Sequence, residues 1–220
     1  TILGLKAPDP VGAELDARLF GIALHEAVEA FGLEEIQRQE RGESHVADPD
    51  VIRDRLVTAM STGLDRLCGP NRGAGLKLQK RILEARLEHV AMQQAKLVGE
   101  GWRIHAVEQK LDALLKIPGD LPMRVTGRID RIDHHPELGW RLIDFKSSDS
   151  GKTPDQAHRK GDRWIDLQLP LYRGLHADQL PGSPDAVDIA TGYFLVGADP
   201  AKIGFTPSKR IDDLQQDAMN

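Results

Sequence analysis

The sequence predicts a mixed α/β domain: a central sheet flanked by helices, with a helical region ahead of it. Three observations carry this. The first 100 residues hold apolar positions at helical spacing; residues 102–147 change to strand-like alternation broken by short turns; a helix and a further strand follow. Consecutive strands joined by turns give part of the sheet an antiparallel pairing.

Residues 13–38 read as a helix, with Leu15, Leu19, Ile22, Val28 and Phe31 on one face. The segment GESHVADPD interrupts it. A second helix is expected over 50–67, with Asp48 placed to cap it ahead of Pro49. The breaker-rich CGPNRGAG precedes a long third helix over 76–98, with Leu76, Ile82, Leu83, Leu87, Val90, Met92 and Leu97 as its apolar positions. Its cations Lys77, Lys80, Arg81 and Arg86 read as a solvated face.

Residues 102–117, 123–133 and 139–147 read as three strands, separated by PGDLP and HHPELG. A helix over 164–178 and a strand over 186–196 complete the pattern, and KIGFT suits one more strand. Residues 1–100 thus form a helical part and 101–220 a sheet-containing core, together one domain.

Composition narrows the function. The 220 residues are 40% hydrophobic, enough for a sizeable core, and carry a formal net charge of −5. That balance argues against a general coat of positive charge for nucleic-acid binding, while leaving room for a local basic groove. One cysteine, Cys68, excludes an internal disulfide, a cysteine-rich zinc site and a four-cysteine iron–sulfur cluster within these residues. With no apolar run of spanning length and no basic-then-apolar leader, a cytosolic location away from membranes is expected. The chain begins at Thr1, which suggests a piece of a longer protein.

The chemistry concentrates in RLIDFKSSDS, residues 141–150. Asp144 and Lys146 are two apart on a strand and share a face. If the turn between 123–133 and 139–147 centres near Glu137, Asp130 falls opposite Asp144, with β-carbons ~5 Å apart. Two carboxylates at that range repel by roughly 3 kcal/mol at an effective dielectric near 20. A divalent cation between them, or the ammonium of Lys146 beside them, relieves that repulsion. Mg²⁺ in particular is held by one or two carboxylates with water and phosphate. A salt-bridged hairpin with no chemistry is the competing reading. Asp133, out of phase with Asp130, is expected on the opposite face. His134 and His135 are expected to be exposed in the turn, distant from Asp144.

Four pieces in order, FGIALHEAVEAFG, GRIDRID, LIDFKS and QLPLY, resemble the PD-(D/E)XK nuclease superfamily, and within it the RecB/AddB-type nuclease domain of bacterial helicase–nucleases. The resemblance covers about residues 15–196 and implies a restriction-endonuclease-like fold. It implies a Mg²⁺- or Mn²⁺-dependent deoxyribonuclease, an exonuclease on single strands or duplex ends in break repair and recombination. Its partners would be DNA and a helicase domain or subunit.

Carried over, Asp130, Asp144 and Lys146 form the catalytic core, with Gln168 and Tyr172 beside them. His25 joins Asp130, Asp144 and the Phe145 backbone carbonyl as metal ligands, and Glu108 is a further, looser match. An imidazole among carboxylates favours Mn²⁺ at least as much as Mg²⁺. Without the family, Glu29, one turn on, would serve simply as a partner for His25. Gln168 and Tyr172 share a helix face, and Pro170 between them places the helix start near Asp166.

Arg128, Arg131, Lys152, Lys160, Arg163 and Trp164 are candidate DNA contacts. Residues 146–163 hold five Lys/Arg against three Asp, and a tryptophan can stack on a base. Many AddB-type relatives and the RecB-like CRISPR spacer-processing exonucleases carry four clustered cysteines. Cys68 alone departs from that pattern, so no iron–sulfur cluster is expected. A catalytically silent DNA-binding or scaffold module of a repair complex is the alternative function.

Overall fold

The computed structural model describes residues 17–69, 73–115, 121–161, 163–182, 184–185 and 188–209. Leu15 and the expected helix start at 13, the last two residues of the 102–117 strand, most of PGDLP, residues 186 and 187, and the tail beyond 209 lie outside the described residues.

Three helices come first: α1 (Ala17–Glu40), α2 (Pro49–Cys68) and α3 (Ala74–Glu100). On α1 the buried residues Ala23, Leu24, Ala27, Val28 and Phe31 recur at three- and four-residue spacing; on α2, Ile52, Leu56, Met60 and Leu64 do so. Asp48 caps α2 as expected, its carboxylate accepting from the N–H groups of Asp50 and Val51 at 2.9 and 3.4 Å, with Pro49 opening the helix. On α3 the inward row is Leu76, Leu83, Leu87, Val90, Ala91, Gln94 and Leu97. Ile82 and Met92, expected inward, are 41% and 56% exposed, because they fall outside that row.

The helix stops at Gly101, whose φ of +104° is left-handed backbone that only glycine adopts without strain. A Cβ there would stand 2.8 Å from His135 Nε2, and that imidazole bonds the Glu100 carbonyl at 2.9 Å. His135 is therefore 9% exposed rather than solvent-facing: the end of α3 covers it.

The strands are β1 (Arg103–Leu115), β2 (Met123–His135), β3 (Gly139–Lys146), β6 (Ala190–Leu195) and β7 (Gly204–Pro207), in the spatial order β1-β2-β3-β6-β7. β1 to β3 form an antiparallel meander, β6 lies parallel to β3, and β7 runs antiparallel to β6. The crossover from β3 to β6 carries α4 (Pro154–His158), a two-stranded ribbon of β4 (Arg159–Lys160) and β5 (Arg163–Trp164), and α5 (Gln168–His176). Sequence periodicity missed α4 and this ribbon because both are too short to show a period.

One core lies between α1–α3 and the sheet, where Ile104, Ile143, Phe145, Phe194 and Val196 meet the helices. On the other face Ile129, Ile132, Trp140 and Leu142 pack against Tyr172 of α5 and the segment beyond it, Ala177, Leu180 and Ile189. Covered on both faces, β3 is buried continuously from Trp140 to Phe145. The architecture is the restriction-endonuclease-like α/β fold with an N-terminal helical region.

Candidate metal centre

The β2–β3 ladder pairs Arg131 with Ile143 and Ile132 with Leu142, the register expected from the turn. The next step outward brings Asp130 level with Asp144. There the strands part, and the Phe145 N–H donates to Asp130 Oδ2 at 2.7 Å in place of a backbone acceptor. Across the other edge of β2, Val107 pairs with Arg131 and Gln109 with Ile129, so Glu108 stands level with Asp130. Three acids from three adjacent strands thus form one row.

Glu108 sits at φ +49°, the only non-glycine residue with positive φ among the described residues. Such backbone costs of order 1 kcal/mol or more and persists only where the surroundings enforce it. Its carboxylate reaches Arg128 Nε at 2.7 Å.

From α1, His25 enters the same place. Its Nδ1 is 3.7 Å from Asp130 Oδ2 and its Nε2 is 3.2 Å from the Phe145 carbonyl oxygen. Gly21, one turn back on α1, lets the helix approach: a Cβ there would be 3.3 Å from Ser147 Oγ. His25, Glu108 and Asp130 each offer a ligand atom, all within 4.8 Å of one another. With Nε2 directed at the Phe145 carbonyl, Nδ1 is the ring nitrogen turned toward Asp130 and the one that could meet a cation there.

The electrostatics agree. Burial pushes the Asp130 carboxyl above its ordinary pKa, and Asp144 pushes it further, against the pull of His25. Glu108 is raised by burial and by Asp130; Glu29 is raised by burial and by Glu108. The row is short of positive charge, which is the deficiency a divalent cation corrects.

Asp144 belongs to the row but its carboxylate faces elsewhere. Oδ2 meets Lys146 Nζ at 2.5 Å and Oδ1 accepts from Gln168 Nε2 at 3.0 Å. Gln168 Nε2 also reaches the Tyr172 hydroxyl at 3.2 Å, and that hydroxyl accepts from the Arg128 N–H at 3.4 Å. The Tyr172 ring lies over Gly127, where a Cβ would come within 2.9 Å of it. α5 begins at Gln168, two residues later than Pro170 suggested, with Pro170 in its first turn.

The cluster lines a cleft of about 680 Å³ between α1 and the β1–β2 hairpin. Arg18, Glu26, Glu29 and Arg128 form part of its wall. Arg18, which the sequence reading passed over, has as its signal only its place one turn before Ile22 and two before His25.

Of the candidate DNA contacts, Arg128 lines the cleft, whereas Lys152, Lys160, Arg163 and Trp164 are not in its wall. Arg131 is withdrawn from that set. It is 5% exposed, forked onto Asp133 at 2.6 and 2.9 Å and bonded to Gln94 of α3 at 2.8 Å. Asp133, out of phase with Asp130 along β2, is fully buried as the partner of that guanidinium.

The fold and site define a class: an α/β domain in which acids from three neighbouring strands, an acid-x-lysine strand and a histidine-bearing helix surround a candidate cation site. The chain belongs to the PD-(D/E)XK nuclease superfamily, whose family model matches residues 1–219. None of the curated proteins compared with the chain matches it.

Proposed function

We propose that the chain is a Mg²⁺- or Mn²⁺-dependent DNA nuclease of the RecB/AddB type. The observation that carries this is the convergence of His25, Glu108 and Asp130 within 4.8 Å, with the Asp144–Lys146 pair alongside, in a member of a nuclease superfamily. Asp130, Glu108, His25 and the Phe145 carbonyl would hold the cation, with Asp144 turning from Lys146 to join them. When bound, a divalent cation polarises a phosphate oxygen and lowers the pKa of a water it holds.

The chain's own groups do the rest. The Lys146 ammonium would orient the attacking water and offset charge growing on the phosphate. Gln168 fixes the Asp144 carboxylate, and Tyr172 fixes Gln168. Arg18 and Arg128 on the cleft wall would take the flanking phosphates of a DNA strand. The substrate would be a single strand or duplex end delivered by a helicase partner, with residues 1–100 and 101–220 acting as one nuclease domain. With Cys68 as the only cysteine, these residues cannot supply a four-cysteine cluster, so the domain would hold together through its helical core.

The test is cleavage of labelled single-stranded and duplex DNA in Mg²⁺, Mn²⁺ and EDTA, with Asp144→Ala and Lys146→Ala. Cleavage is expected in Mn²⁺ at least as fast as in Mg²⁺, none in EDTA, and a loss of about 100-fold or more in each variant. Activity that survives EDTA and both substitutions removes the mechanism. DNA binding without cleavage in any metal points to a silent scaffold module.

A further inference from the structure

Behind the row of acids lies a set of buried polar groups that the proposed mechanism leaves unused. In the parallel β3–β6 ladder Tyr193 pairs with Asp144. Its ring lies 5.0 Å beneath the Lys146 ammonium, the distance of a cation–π contact. Tyr193 is 3% exposed, and a buried hydroxyl needs a partner. It finds one in His158 Nε2 at 2.5 Å. His158, at the end of α4, is 2% exposed, and its Nδ1 is 2.9 Å from the Asp166 carbonyl oxygen.

A carbonyl only accepts, so Nδ1 carries the proton and the Nε2 lone pair receives the tyrosine hydroxyl. Asp166 continues the path: its Oδ1 accepts the Gln168 N–H at 2.8 Å. Gln168 bonds one oxygen of Asp144, and Lys146 meets the other. The contacts close into a ring through Asp144, Lys146, Tyr193, His158, Asp166 and Gln168.

We infer that His158 and Tyr193 are positioning residues for Lys146, holding the aromatic platform on which its ammonium rests. The catalytic part of this rests on the nuclease reading; the positioning does not. Lys146 is 37% exposed, on a long flexible stem, and Asp144 alone restrains it from one side only. Tyr193 supplies the second side, and His158 stops that ring from tilting. Tyr193 reaches one oxygen of Asp144 through Lys146, and His158 reaches the other through Asp166 and Gln168.

The experiment has two arms on the same proteins: wild type, Tyr193→Phe, Tyr193→Leu, His158→Ala, His158→Gln and the double variant Tyr193→Phe with His158→Ala. In the first, proton–carbon NMR of the metal-free protein follows the Lys146 ε-methylene, assigned by its loss in Lys146→Arg. The signal is expected upfield in wild type from the Tyr193 ring current, at the free-lysine position in Tyr193→Leu, and between the two in His158→Ala. His158→Gln, which keeps an acceptor where Nε2 stood, is expected near wild type.

In the second arm, kcat for DNA cleavage in Mn²⁺ is expected to fall about tenfold in His158→Ala with KM unchanged, the scale of one positioning hydrogen bond. Tyr193→Phe is expected to fall similarly, and the double variant no further, because both cut one link. Tyr193→Phe removes a single oxygen and keeps the inference testable if His158→Ala does not fold. An unshifted Lys146 signal in wild type, or one that Tyr193→Leu leaves in place, overturns the positioning. A fall in KM-governed binding with kcat unchanged overturns the catalytic consequence. Inactive wild type with the NMR pattern intact overturns the nuclease reading alone.

Discussion

Asp130 is placed where its charge works against the metal-free fold. Its side chain is 17% exposed, it faces Asp144 and Glu108, and its pKa is raised chiefly by burial. A carboxyl with a raised folded-state pKa contributes stability fully below its ordinary value of about 4, and that contribution is lost as pH rises through the folded value. At neutral pH, then, Asp130→Asn is expected to stabilise the metal-free protein, since the amide still accepts the Phe145 N–H. A rise of about 2–4 °C in Tm corresponds to about 1 kcal/mol in a chain of this size. The gap should shrink on acidification from pH 7 toward pH 4. Adding Mn²⁺ should reverse the order, raising Tm in wild type and leaving Asp130→Asn unmoved, because only the wild type gains binding free energy. Calorimetry across pH with and without Mn²⁺ checks this. A variant less stable than wild type at pH 7 without metal would show that the hydrogen bond outweighs the repulsion.

Arg86 shows how an element far in sequence sets the end of β3. Read as part of a solvated face, it instead has a side chain 10% exposed and holds three partners. Its NH1 donates to the carbonyls of Ser147 and Val196, each at 3.2 Å, and NH2 meets Asp149 at 2.8 Å. The guanidinium also lies 4.7 Å over the Phe20 ring of α1. α3 thereby ties together the ends of β3 and β6, one residue beyond Lys146 and Leu195, while α1 supplies His25. Arg86→Ala is expected to cost about 1–3 kcal/mol by leaving part-buried carbonyls without this donor, and to lower kcat as the end of β3 loosens. Arg86→Lys should recover only part, because one ammonium cannot reproduce a planar fork. Denaturant unfolding beside the cleavage assay measures both; an Arg86→Lys variant equal to wild type in both would reduce the residue to a point charge. What was legible in the sequence follows the same division. The β2–β3 register could be read because period-two alternation and one turn are local, and Asp48 capping is local too. The burial of Arg131, the reach of Arg86 and the Tyr193–His158 link depend on which helix covers which strand. No window of one segment contains that.

Across the whole molecule, the charge distribution limits how the proposed nuclease would hold DNA. A net charge of −5 leaves affinity to a few well-placed cations. β3 pairs with β2 only over residues 131–135, while β1 and β2 stay paired out to Leu115 and Met123. The outer half of that hairpin therefore projects past the sheet as a two-stranded ribbon. Lys110 pairs with Arg128 and Leu114 with Arg124, so these cations stand on the ribbon face that continues the cleft wall. Arg124 is already tied to Asp112 at 2.5 Å and Arg128 to Glu108, which weakens the track. Counting Arg18, Lys110 and Arg128 gives about three phosphate contacts, hence a slope of about −2 in log affinity against log salt for a single strand. Lys146→Ala protein in Mn²⁺ allows the measurement by fluorescence anisotropy without cutting the oligonucleotide. Arg128→Ala should make the slope shallower by about 0.7, and Lys160→Ala should leave it alone. A slope steeper than about −5 would require a broad basic surface, and would return Lys152, Lys160 and Arg163 to the path of the strand.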